Sequence, residues 1–201
     1  MRKRMISVIA VSLARMSWSL SLLQEREPEL LDALFQSVGR ALYLSNAFEV
    51  KCKGVLRVAN MVERIEGDPV LTLQELIADL PADKMLGVTL KDLAARQQLL
   101  SSSETELLSK AREARNFIAH EGASLGPAWS ADSNVILRQA TQLRAAVADL
   151  AAGDNLVSTW AFAIEEPDVL VPTEFVDGYP DRVDRWVFGH FGDLLDKAEA
   201  A

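Results

Sequence analysis

One short stretch of this chain combines the side chains that hold phosphate with one that moves protons. Ala114-Arg115-Asn116-Phe117-Ile118-Ala119-His120-Glu121-Gly122 brings a guanidinium, an amide and an imidazole together. An arginine grips a phosphate through two parallel hydrogen bonds. A histidine exchanges protons near neutral pH. Together they point to phosphodiester chemistry. In RNA a 2′-hydroxyl attacks its neighbouring phosphorus once a base removes its proton, and an imidazole can be that base or can protonate the leaving oxygen. The guanidinium would stabilise charge gathering on the phosphoryl oxygens. Asn116 can orient the imidazole or contact the ribose.

The spacing constrains where these groups lie. On a regular helix, residues 115 and 120 are about 140° and ~7.5 Å apart, so they do not share a face. Asn116 and His120, at i and i+4, do. Arg112 extends the polar side, giving a stripe of Arg112, Arg115, Asn116 and His120 opposite Leu107, Ala111, Ala114 and Ile118. Gly122, two residues beyond His120, marks a helix end where the last turn can deviate. One such histidine supplies one acid/base group, which makes a dimer supplying two mechanistically attractive. Arg185-Trp186-Val187-Phe188-Gly189-His190 repeats the spacing. It lacks a polar residue after the arginine and reads as a surface arginine with a packing histidine.

The elements that must position the stripe are helical. Apolar residues from Leu31 to Val62 recur at three- and four-residue steps, predicting a helix of roughly 35 residues after Pro28 that ends before Gly67-Asp68-Pro69. A short helix over 71–80 should stop at Pro81. Thr89 is placed to cap the next, which runs to about Leu100. Ser101 and Glu104 have capping-box spacing for the helix that carries the stripe. Ser130 or Asp132 can cap a further helix through Leu150, closed by Gly153-Asp154. Residues 156–164 read as a strand, and a last helix should start near Asp181. Residues 3–24 read as an amphipathic helix packed on the domain. The fold class expected is all-α, an up-and-down helical bundle. Its divisions are 1–27, a bundle over 28–152, and a C-terminal extension over 153–201 packed on it.

Composition narrows the classes. With 49% hydrophobic and 25% charged residues in 201, the chain can bury a full core. A net charge of −8 argues against broad non-specific nucleic-acid binding, though not against a local basic cleft. Arg57, Arg64, Lys51 and Lys53 read as a solvated helix face. The single cysteine, Cys52, falls on an apolar helix face and reads as a buried thiol, compatible with a reducing cytoplasm. The apolar run after Met1-Arg2-Lys3-Arg4 is broken by Arg15 and is too short to span a bilayer. There is no Gly-rich phosphate loop, zinc-binding His-Glu-x-x-His or nucleophile elbow. No metal or cofactor is expected.

The arginine, the polar residue directly after it and the histidine five positions on, set between long helices, resemble the signature of HEPN domains over roughly residues 28–152. The resemblance implies a helical bundle that dimerises, with two copies of the motif forming one site. It also implies a metal-independent endoribonuclease, a toxin with an antitoxin partner or an antiviral defence effector. Carried over by position, Arg115 and His120 would be catalytic and Asn116 auxiliary; Arg112, from its place in the polar stripe, is a candidate RNA contact. A non-catalytic module that binds a nucleotide or partner is the alternative.

Overall fold

The computed structural model describes residues 28–68, 70–78, 84–96, 101–125 and 132–191. The helix read over 3–24 lies outside them, as do Pro81, Leu100, Ser130 and residues 192–201 of the C-terminal extension. The described chain forms seven helices: α1 Pro28–Gly67, α2 Leu73–Ala78, α3 Leu86–Arg96, α4 Ser102–His120, α5 Ser133–Glu165, α6 Thr173–Asp177 and α7 Tyr179–Phe188. No strand occurs among the described residues. The fold is an all-α helical bundle in which α5 packs most extensively along α4 and next along α1.

Local chemistry sets several helix starts. The Ser101 hydroxyl accepts from the Glu104 N–H at 3.2 Å, and the Glu104 carboxylate accepts from the Ser101 N–H at 2.8 Å. This is the expected capping box, and it satisfies two donors at the start of α4. Asp132 caps α5 by accepting from the Val135 N–H at 3.0 Å. At α2, Thr72 and Glu75 form the same reciprocal pair.

The apolar stripes meet in one core. Leu34, Phe48 and Cys52 from α1, Ala111 from α4, and Ile136, Leu143 and Val157 from α5 are fully or almost fully buried. Burying each large aliphatic or aromatic side chain is worth about 1.5–3 kcal/mol before entropy is counted.

Three local expectations are corrected. Thr89 does not cap α3; it is buried one turn inside the helix, and its hydroxyl donates to the Met85 carbonyl at 3.3 Å. Leu86, Leu90 and Leu93 all face the core, so packing extends the helix by a turn ahead of the threonine. Gly153-Asp154 does not close α5, and residues 156–164 are not a strand but its continuation to Glu165. The buried positions Leu143, Val147, Leu150, Asp154, Val157 and Trp160 keep one helical face through that region. This long-range burial overrides the β preference of the β-branched and aromatic residues. Gly153 instead permits close approach, since a Cβ there would lie 2.3 Å from the Ala111 Cβ of α4.

The segment after α5 buries Val183, Val187, Phe188 and Phe191 in the same core, and polar contacts pin it further. Arg144 grips Asp184 through two bonds of 2.8 and 2.9 Å, and Asn155 donates to the Val176 carbonyl at 2.8 Å. Buried Asp154 accepts from Lys51 at 2.7 Å and from the Tyr179 hydroxyl. Burial first, and then this bond to Asp154, raises the Tyr179 phenol above its ordinary value.

Candidate functional site

Helix α4 carries the motif on an uninterrupted helix whose last residue is His120. Leu108, Ala111, Ala114 and Ile118 are buried, which turns Arg112, Arg115 and Asn116 outward or along the flank. The helix end is held from outside. The buried Gln139 amide donates to the Glu121 and Gly122 carbonyls at 2.7 and 3.0 Å, satisfying groups that helix ends leave open. Gly122 is required by proximity rather than by an unusual backbone angle, because a Cβ there would stand 2.7 Å from the Ile118 carbonyl oxygen.

Arg112, Arg115 and Asn116 come together. They line a cleft of about 470 Å³ with Glu49 of α1, Glu113, and Met85, Leu86, Gly87 and Val88 at the start of α3. The first turn of α3 contributes the partial positive charge of a helix N-terminus. The Arg112 side chain lies across it, with its Cδ 3.6 Å from where a Gly87 Cβ would be. A larger side chain at 87 would compete with Arg112 for space.

Arg115 is the most constrained member. Its side chain is 23% exposed, and Nη2 donates to Glu49 Oε2 at 2.6 Å. Nη1 reaches Asn116 Oδ1 at 3.4 Å, a long contact. Nε is buried without a hydrogen-bond partner. The other Glu49 oxygen accepts from Lys53 at 2.9 Å. The Lys53 hydrogen bond, followed by the field of Arg115, holds the Glu49 carboxyl below its ordinary value despite partial burial.

His120 stands apart. It is exposed and does not line the cleft. A regular α4 therefore keeps the imidazole off the Arg115 side, as the five-residue spacing requires. Within one copy, the cleft has anion-binding groups without an imidazole.

Of the second Arg–His pair, Arg185 and His190 are both exposed, and His190 is held at the surface largely by polar contacts. The His190 Nε2 atom lies 2.7 Å from the Ala33 carbonyl and 3.2 Å from the Ser37 hydroxyl, and its ring tilts against Phe191 at 5.4 Å. Trp186 is part-exposed, with the Arg40 guanidinium 5.6 Å from its ring centre and Tyr43 edge-on. Of the cationic points on α1, Lys51 and Lys53 are paired with Asp154 and Glu49 rather than simply solvated.

Glu49 is the cleft residue that the motif did not indicate. The available signal was its i,i+4 spacing to Lys53, which marks countless solvated helix faces. No group of three or more His, Cys, Asp or Glu side chains is gathered for a metal ion among the described residues. No described helix is long and apolar enough to cross a membrane. Comparison with protein-family models, with curated proteins and with solved structures finds no match to this chain.

Proposed function

We propose that the chain is a HEPN-type, metal-independent endoribonuclease acting as a homodimer, with a toxin or antiviral defence role. The observation that carries the reading is the cleft. Arg112, Arg115 and Asn116 converge there beside a helix N-terminus, while His120 projects from the end of the same helix. A second copy apposed at that end would bring two His120 imidazoles and both polar stripes to one shared site.

The chemistry is a transesterification. The phosphate sits against Arg115 and Arg112, which take up charge on the non-bridging oxygens. One His120 imidazole removes the 2′-hydroxyl proton as the 2′-oxygen bonds to phosphorus. The phosphorus–5′-oxygen bond breaks, and the second copy's imidazolium protonates the departing oxygen. The products are a 2′,3′-cyclic phosphate and a 5′-hydroxyl. Asn116 contacts the ribose or steadies the imidazole.

The test is direct. Purified chain should cut single-stranded RNA in EDTA and leave cyclic phosphate ends, and His120→Ala should reduce cutting at least 100-fold. Equal cutting by wild type and variant sinks the assignment. Induced expression should arrest growth for the wild type and not for the variant. The second reading, a nucleotide- or partner-binding dimerisation module, is favoured by the Glu49 carboxylate within the cleft. In that case RNA remains intact and the variant changes only affinity or assembly.

A further inference from the structure

We infer that Glu49 is a positioning residue for Arg115, fixing the guanidinium plane before a phosphate arrives. The inference rests on the reading of Arg115 as the phosphate-gripping group. It adds a residue from another helix, 66 positions away in the chain.

The geometry of the carboxylate carries it. Glu49 Oε2 accepts from Arg115 at 2.6 Å and Oε1 accepts from Lys53 at 2.9 Å. Each oxygen therefore holds a different cation, and the carboxylate cannot rotate without releasing one. All three side chains are no more than about a quarter exposed. Ionic contacts there are less screened than on an open surface.

Arg115 has no other strong restraint. Its Nε–H is buried and unbonded, and its Nη1 contact to Asn116 is long. Without Glu49 the guanidinium would be free to swing over several rotamers. A two-pronged grip on phosphate needs one defined plane. Ordering that plane in advance removes an entropic cost from the encounter with RNA.

The charge balance permits this arrangement. Among the lining residues Arg112 and Arg115 balance Glu49 and Glu113, and Lys53, bonded to Glu49 from outside the lining, tips the cluster to one net positive charge. An incoming phosphate meets a local positive field even though the whole chain carries −8.

Two measurements test the inference. The first is cleavage of single-stranded RNA in EDTA by Glu49→Ala, Glu49→Gln, Arg115→Ala and the Arg115→Ala/Glu49→Ala double variant. Glu49→Ala should lower the rate at saturating RNA about tenfold with KM changed less than about twofold, since orientation is lost rather than binding charge. Glu49→Gln keeps an acceptor and should fall between. In the Arg115→Ala background the Glu49 change should have no further effect. An unchanged Glu49→Ala rate, or effects that multiply in the double variant, overturns the positioning role.

The second measurement does not depend on cleavage. The Nε–H resonance of Arg115 in the full chain should be as rigid as the backbone by its heteronuclear NOE. It should become mobile in Glu49→Ala while the melting curve still shows a folded protein. An equally rigid resonance in the variant overturns the inference. If wild type cuts no RNA yet Arg115 loses order in Glu49→Ala, the ribonuclease reading falls and the positioning role stands.

Discussion

At the scale of single residues, burial and partnership decide reactivity more than residue type does. Cys52 is fully buried, and burial, with the nearby Asp154 carboxylate second, pushes its thiol up to about 12. The reactive thiolate is thus almost absent at neutral pH. An aromatic disulfide reagent should label Cys52 only as the protein unfolds, so the labelling rate should follow the denaturant dependence of opening. Fast labelling of native protein would contradict this. Glu49 gives a second expectation. Its carboxyl titrates below the ordinary 4.5 in the folded chain, first through Lys53 and then through Arg115. Its stabilising contribution is present above 4.5 and fades as pH falls through the lowered folded value. Wild type should exceed Glu49→Gln in urea stability by about 1 kcal/mol at pH 7, the scale of a partly exposed pair. The gap should close as pH falls below 4.5 and through the lowered folded value. A gap that is constant with pH refutes this account.

At the scale of helices, capping chemistry was legible and interhelical contact was not. Ser101 with Glu104, and Asp132 with Val135, bond as their spacing foretells because a cap is a local event within four residues. Gly153 shows the limit. Read along the chain it looks like a stop. In the fold it is the point where α5 touches Ala111 of α4. Gly153→Ala should destabilise despite its gain in helix propensity of about 1 kcal/mol, because overpacking costs about 1–3 kcal/mol. The net loss, ~1 kcal/mol, should appear as a lower midpoint in urea, and Ala111→Gly in the same chain should recover part of it. Stabilisation by Gly153→Ala would show that the two helices separate freely. Gln139 belongs at this scale too. Gln139→Ala strips the end of α4 of its two carbonyl contacts and should cost about 1–3 kcal/mol by thermal or urea melting.

At the scale of the whole molecule, the separation of His120 from the cleft makes the assembly the main variable. The cleft and His120 sit on different sides of one regular helix, so a single copy does not join them. The dimeric reading predicts a sedimentation mass twice that of the 22.1 kDa chain. It also predicts that a verified mixed dimer of wild type and His120→Ala loses nearly all RNA cleavage, since each reaction draws an imidazole from both copies. A mixed dimer that keeps half the wild-type rate would overturn the two-histidine mechanism.

The sequence by itself determined what depends on near neighbours: the helical period of α1, α4 and α5, the caps of α4 and α5, the buried position of Cys52, and the polar stripe from Arg112 to Asn116. Each follows from interactions within a turn or two of helix. The tertiary structure alone decided which faces meet. It carried α5 past Gly153 through a region whose composition favours strand, because burial along one face outweighed local preference. It also set Glu49 against Arg115 and brought the start of α3 to the same cleft. Those contacts join residues far apart in the chain, and no local spacing rule encodes them; they follow from the way five helices pack their apolar stripes into one core.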